Sequence, residues 1–104
     1  MVFFAFGEAE ITQQGERTIS QFAAFFFRVE TGRVILTGHS DTAEASVPLS
    51  MSRAVAVKMR LLEMGIPAAR ISVVARGDKD LLVQTPPGAR DPQNRRVELV
   101  LHSS

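Results

Sequence analysis

The sequence predicts a single α+β domain in two layers, with the order β-α-β-α-β-β and both helices on one face of a mixed four-stranded sheet. Two stretches carry apolar residues at helical spacing, and four shorter stretches are rich in β-branched or aromatic residues. A chain of 104 residues, 45% hydrophobic and 22% charged, has the size and composition of one compact domain. We therefore treat residues 1–104 as one domain, and we expect it to be excised from a longer, membrane-anchored protein.

The first half of the chain predicts a strand, a helix and a second strand. Val2 to Phe6 carry β-forming Phe side chains and end at Gly7, which predicts the first strand. Thr12 is a candidate N-cap for a helix that stops near Gly32. The run from Arg33 to Thr37 is β-branched and continuous, as is typical of a central strand. The apolar stripe of the helix is Ile19, Phe22, Phe26 and Val29.

The second half predicts a helix and two further strands. Pro48 marks the start of a helix from about Leu49 to Met64, and Gly65 is placed to end it. The run "ISVVAR" at 71–76 alternates as a strand does and ends at Gly77, and a long loop over residues 78–93 follows. The run "NRRVELVLH" at 94–102 predicts the last strand. The buried stripe of the second helix is Ala54, Val57, Leu61 and Met64.

Composition excludes several function classes. The formal net charge of +1 provides no broad field for nucleic acid or an acidic membrane. The absence of cysteine removes thiolate catalysis, disulfides and Cys-ligated zinc, and two histidines without metal-binding spacing make a metal site unexpected. The opening "MVFFAF" is too short for a signal peptide or a membrane span, so no direct membrane insertion is expected. Nucleotide-cradling glycine motifs are absent, and no cofactor is expected.

Asp41 and Arg53 are the candidate binding residues. Asp41 follows the predicted central strand, and Arg53 lies in the first or second turn of the next helix, so both lie at the same edge of the sheet. A carboxylate beside a guanidinium suits a zwitterionic ligand. The protein carboxylate would accept hydrogen bonds from the ligand's ammonium, and the guanidinium would donate two parallel hydrogen bonds to the ligand's carboxylate. The alternative is that Asp41 caps backbone or bridges locally, including to Arg53 itself.

Two further features bear on other possible functions. A nucleophilic triad from His39, Ser40 and Asp41 is excluded because adjacent side chains diverge, whereas a triad needs three that converge. His39 is instead expected to form local hydrogen bonds that hold the turn. Phe25 and Phe27 point away from the helix stripe, which indicates either a wide buried face or a partner surface.

Three segments together resemble a known family. They are "VILTGHSD" at 34–41, "LSMSRAVAVKMRLLEMGIPAARI" at 49–71 and "DPQNRRVELVL" at 91–101. In this order they are similar to the OmpA-like C-terminal domain, which typically shows "GHTD", "LSxxRAxxVxxxLxxxGIPxxRI" and "NRRVE". The family includes the peptidoglycan-associated lipoprotein and flagellar stator proteins.

The resemblance implies non-covalent binding of peptidoglycan in the periplasm of a Gram-negative-type bacterium, tethering an outer-membrane or inner-membrane protein to the cell wall. It implies no enzyme activity. The implied ligand is the stem peptide, chiefly the zwitterionic end of diaminopimelate, with Asp41 on the ammonium and Arg53 on the carboxylate. Thr42, Asn94 and Arg95 are the further residues expected to line this pocket.

One segment departs from the family pattern. Between "GHSD" and "LS" the family has a longer loop with a Gly and a Tyr-Asn or similar pair, whereas this chain has only "TAEASVP" at 42–48. This departure motivates an alternative function, a degenerate OmpA-like domain that serves as a protein-interaction or dimerisation module. The surplus Phe25 and Phe27 would then face the partner, such as a second copy in a homodimer.

Overall fold

The helices and strands follow the predicted order. The computed structural model describes residues 1–29 and 31–103 of the chain. Two short 3-10 turns, Ala68–Arg70 and Pro92–Asn94, precede the last two strands. The six main elements are β1 (Val2–Phe3), α1 (Gln13–Val29), β2 (Arg33–Gly38), α2 (Val47–Glu63), β3 (Ile71–Ala75) and β4 (Arg96–His102).

The four strands form one mixed sheet in the order β1-β4-β2-β3. β2 is central, as predicted; it runs parallel to β3 and antiparallel to β4, which in turn pairs with the edge strand β1. Gly38 at the end of β2 pairs with Val97 near the start of β4. This register places the residues that follow β2 beside the residues that precede β4.

Both helices pack on one face of the sheet, which confirms the predicted two-layer α+β fold. Ile19 of α1 and Leu61 of α2 are fully buried against the same core as Leu36 of β2. Burial of such side chains is the main favourable term in folding. The remaining buried hydrophobic residues of this core are Val2, Phe4, Ala23, Phe26, Val34, Ala54, Val57, Ile66, Ile71 and Val97.

The helix ends follow the capping chemistry. Thr12 Oγ1 accepts from the backbone N–H of Gly15 at 3.0 Å, which confirms the predicted N-cap of α1. α2 begins at Val47, two residues earlier than predicted, because Ser46 is its N-cap and accepts from the N–H of Leu49 at 3.0 Å. The sequence predicts that α1 stops near Gly32. The last described residue of α1 is Val29, and residue 30 lies outside the described residues. Neither α1 nor α2 is long and apolar enough to cross a membrane.

The first strand is shorter than predicted, ending at Phe3 and not at Phe6. The N–H of Phe4 still donates to the Arg95 carbonyl at 2.9 Å, but the chain then leaves the sheet. The carbonyls of Ala5 and Glu8 accept from Arg53 of α2. β4 begins at Arg96 and not at Asn94, because residues 92–94 form a 3-10 turn.

Candidate functional site

A glycine lets α2 approach the end of β2 closely. A Cβ placed on Gly38 would lie 1.9 Å from the carbonyl oxygen of Ser50, a distance that no side chain can occupy. Glycine is required where two backbones come this close. Because of this close approach, the first turns of α2 pack on the end of β2. Arg53 therefore lies beside the loop that follows β2.

Serine hydroxyls hold the two strand ends and the helix start together. Ser50 Oγ accepts from the N–H of Gly77 at 3.0 Å, and the Gly77 carbonyl accepts from the N–H of Ser40 at 2.7 Å. Ser40 Oγ accepts from the N–H of Ser46, the N-cap of α2, at 3.1 Å. The carboxyl end of the parallel pair is thereby tied to the helix start, and buried polar groups there find partners.

Asp41 is completely buried at this edge of the sheet. Its Oδ1 accepts from the N–H of Glu44 at 2.8 Å, and its Oδ2 accepts from the N–H of Asp91 at 3.2 Å and from Nη1 of Arg95 at 2.9 Å. Burial, the largest single influence, raises the pKa of Asp41, but these hydrogen bonds together outweigh it and leave the pKa below its ordinary value. Asp41 is therefore ionised at neutral pH.

Arg53 is also completely buried, and each of its N–H groups has an acceptor. Nε donates to the Glu8 carbonyl at 2.8 Å. Nη1 donates to the His39 carbonyl at 3.0 Å, and Nη2 donates to the Ala5 carbonyl at 3.2 Å. The two remaining donors form a fork on Glu44, with Nη1 at 2.8 Å from Oε1 and Nη2 at 2.5 Å from Oε2. This bidentate geometry is the strongest form of Arg–carboxylate pairing.

Four side chains thus form one charged cluster, defined here as Asp41, Glu44, Arg53 and Arg95. Asp41 and Arg53 are 0% exposed, Glu44 is 2% exposed and Arg95 is 11% exposed. Asp41 pairs with Arg95, and Glu44 pairs with Arg53. Two acids and two guanidiniums balance, which is a condition for holding charge out of water.

The structure brings Asp41, Arg53 and Arg95 together, as the sequence predicts, and it places Thr42 and Asn94 in supporting loops. Thr42 Oγ1 accepts from the N–H of Ala89 at 3.0 Å and donates to the Pro86 carbonyl at 2.7 Å, so it fastens the long loop over the site. The buried Asn94 accepts from the N–H groups of residues 82 and 83 at 2.8 and 2.9 Å. These bonds give Thr42 and Asn94 roles in loop structure.

Glu44 is the cluster member that sequence reasoning missed. Its carboxylate accepts from the N–H of Asp41 at 3.0 Å, while Asp41 accepts from the N–H of Glu44. This reciprocal bonding between residues three apart is the arrangement of a capping box. The "D-x-x-E" spacing at 41–44 is the sequence signal that could have identified it.

Instead of the local hydrogen bonds expected to hold the turn, His39 makes contacts with β4, more than 50 residues further along the chain. Its backbone N–H donates to the Arg96 carbonyl at 2.9 Å, and its Nε2 lies 3.1 Å from Oε1 of Glu98. Burial, followed by the nearby guanidinium of Arg96, lowers the pKa of His39 below 6.5, and Glu98 opposes this shift. Within residues 1–29 and 31–103 no three acidic or histidine side chains group as a metal site would require.

Comparison with known proteins places the chain in a family. Residues 3–95 match the OmpA family. An outer membrane protein of Gluconacetobacter diazotrophicus is 32% identical over 111 residues, covering 98% of this chain but only 29% of that protein, so the chain spans less than a third of this relative.

Solved structures agree in fold and, more weakly, in sequence. The peptidoglycan-associated lipoprotein of Burkholderia pseudomallei superposes with a TM-score of 0.85 at 26% identity, covering 97% of this chain and 88% of that one. The cell wall anchor of the type VI secretion system (T6SS) of Pseudomonas aeruginosa gives a TM-score of 0.77 at 26% identity, covering 97% and 75%. With a family match over residues 3–95, this chain belongs to the OmpA family.

Proposed function

We propose that this domain binds peptidoglycan non-covalently and anchors an envelope protein to the cell wall. The observation that carries the proposal is the convergence of Asp41 and Arg53, twelve residues apart in sequence, on one buried charged cluster at the end of β2. The names of its relatives, a peptidoglycan-associated lipoprotein and a cell wall anchor, support the same function. The domain would then work in the periplasm as part of an outer-membrane or inner-membrane protein.

The proposed ligand is the free end of diaminopimelate in the stem peptide, which carries one ammonium and one carboxylate. Asp41 is ionised and suits the ammonium, and the planar fork of Arg53 suits the carboxylate. Arg95, the most exposed member of the cluster, would lie at the rim of the pocket, next to Thr42. The role is recognition, with no bond made or broken.

Co-sedimentation with purified cell-wall sacculi tests the proposal. The parent domain should pellet with sacculi, and Arg53→Lys should bind more weakly, because an ammonium cannot fork onto a carboxylate. Arg60→Lys is the control, since Arg60 lies on the same helix and pairs with Glu16 and Glu63 in partly exposed positions. Equal binding by Arg53→Lys and the parent would refute the site, and release of soluble fragments would indicate an enzyme.

Titration with a stem peptide in two-dimensional NMR locates the contact without any substitution. A diaminopimelate peptide should shift the resonances of residues 38–44 and of the α2 start near Arg53. A matched peptide with lysine in place of diaminopimelate lacks the second carboxylate and should cause much smaller shifts. Equal shifts with both peptides would reject diaminopimelate as the recognised group.

The second candidate function is self-association through α1, and the exposed phenylalanines favour it. Phe25 is 47% exposed and Phe27 is 51% exposed, which is unusual for side chains of this size. Sedimentation equilibrium of the parent and of the double variant Phe25→Ser, Phe27→Ser tests this. A parent dimer that the double variant abolishes would support the interaction module, and a monomeric parent would reject it.

A further inference from the structure

Glu44 occupies the place at Arg53 that a ligand carboxylate would need. Both of its oxygens accept from the guanidinium, and they also accept from the backbone N–H groups of Gly7 and Asp41, at 2.7 and 3.0 Å. The carboxylate therefore receives four hydrogen bonds in a position that is 2% exposed. A carboxylate held in this way is a strong partner for the fork.

No donor of Arg53 is left over for a second carboxylate. A guanidinium has five N–H groups, and the five bonds from Arg53 go to Glu8, His39, Ala5 and twice to Glu44. The first three acceptors are backbone carbonyls, which move only if the chain moves. Glu44 contributes a side chain, which leaves by rotation about its own torsions. An incoming carboxylate must therefore take the place of Glu44.

The short loop after β2 explains why Glu44 reaches this position. The N–H of Ala45 donates to the Asp41 carbonyl at 2.9 Å, and Ala45 has a φ of +39°, so the chain makes a tight turn over residues 41–45. Asp41 and Glu44 bond reciprocally across the turn. The turn thus directs the Glu44 side chain back under its own loop and onto Arg53.

We infer that Glu44 is an internal competitor for the ligand carboxylate and that it sets the affinity of the site. This inference rests on the proposed function, because it concerns the same Arg53 fork. Stem-peptide binding exchanges the Glu44 carboxylate for that of the ligand, and the affinity is reduced by the free energy of breaking the internal pair. Removing the Glu44 carboxylate leaves the fork open for an external one.

Acetate tests the vacated position independently of peptidoglycan. Glu44→Ala keeps Cβ and lacks a fragment equivalent to acetate, so millimolar acetate should raise the Tm of this variant, because binding to the native state stabilises it. The parent should show no such rise, and acetamide and chloride at the same concentration are controls for charge and ionic strength. A Tm of Glu44→Ala that acetate does not raise would overturn the inference.

Stem-peptide affinity provides the second test, by calorimetric titration of three proteins. Glu44→Ala should bind the diaminopimelate peptide about tenfold or more tightly than the parent. Glu63→Ala is the control, because Glu63 is an exposed acid paired with Arg60 and should leave affinity unchanged. If Glu44→Ala does not fold, Glu44→Gln keeps the shape and one acceptor, and it should bind more tightly than the parent by a smaller factor.

The outcomes separate the two proposals. Equal peptide affinity in the parent and in Glu44→Ala would refute the competitor role while peptidoglycan binding stands. A rise in the Tm of Glu44→Ala with acetate, without peptide binding by either protein, would support the vacated carboxylate position and refute diaminopimelate as the ligand. Tighter peptide binding by Glu44→Ala, together with a rise in its Tm with acetate, would support both the competitor role and diaminopimelate as the ligand.

Discussion

Asp41 forms its ion pair with Arg95, 54 residues further along the chain, whereas Arg53 forms its pair with Glu44. The alternative of a direct bridge between Asp41 and Arg53 is not what the structure shows; it shows two separate pairs, which the turn at 41–44 connects. Asp41 bonds nearby backbone, as the local alternative predicts, but its ion pair is not local, because Arg95 belongs to the segment before β4. Each pair has consequences that can be measured.

Loss of the Asp41 charge should destabilise the fold. Asp41→Asn leaves Arg95 without its carboxylate in a position that is 11% exposed, and breaking a buried pair from one side costs about 3 kcal/mol. Urea unfolding should show a lower midpoint with an unchanged slope. Asp80→Asn is the control, because Asp80 forms an exposed pair with Arg76 and should change stability little. Similar losses in both variants would show that burial of Asp41 adds nothing.

The same pair predicts a loss of stability in acid. The pKa of Asp41 is lowered in the folded state from 3.8, so between the folded pKa and 3.8 the unfolded chain binds the proton and the native protein does not. The contribution of Asp41 is therefore complete above about pH 4 to 5 and is lost as the pH falls through the folded pKa. The difference in unfolding free energy between the parent and Asp41→Asn should be constant near neutral pH and shrink below this range. A difference that grows in acid would reverse the sign of the shift.

His39 predicts a second dependence of stability on pH, in a higher pH range. Its folded pKa is lowered below 6.5, chiefly by burial and then by Arg96, so protonation favours the unfolded chain. The contribution of neutral His39 to stability should be fully present above pH 6.5. It should decline as the pH falls from there toward the folded pKa. Thermal melts of His39→Gln from pH 8 to pH 5 should lack this decline. His102→Gln, which changes an exposed histidine at the end of β4, is the control and should retain it.

Gly38→Ala should disrupt the packing of α2 on the end of β2. The added methyl would lie 1.9 Å from the Ser50 carbonyl oxygen, so the helix start must move, and overpacking of this kind costs about 1 to 3 kcal/mol or more. Gly88→Ala is a graded comparison, because it has open space and a φ of +77° and should cost about 1 to 2 kcal/mol from backbone strain alone. Chemical shifts of Arg53 should change in Gly38→Ala but not in Gly88→Ala. A Gly38→Ala protein as stable as the parent would contradict the close approach.

The element order, the N-cap of α1 and the edge of the sheet where Asp41 and Arg53 meet all follow from the amino-acid sequence. These features depend on short-range chemistry: Thr12 bonds a backbone N–H three residues away, and alternation or helical spacing selects the buried face. A residue directly after β2 and one in the first turns of α2 must lie at the same edge. Asp41 and Arg53 could therefore be assigned to one place without coordinates.

Which acid pairs with which guanidinium depends on the three-dimensional fold. Arg95 reaches Asp41 because β4 lies antiparallel beside β2, and the strand pairing brings residues 54 apart to 2.9 Å. Glu44 reaches Arg53 because a tight turn folds its side chain inward; the "D-x-x-E" spacing indicates the turn but not the charged residue that Glu44 contacts. The end of β1 likewise depends on Arg53, because its guanidinium donates hydrogen bonds to the carbonyls of Ala5 and Glu8. Long-range pairing is set by the combined geometry of strands and turns, whereas residue type and spacing report mainly on local structure.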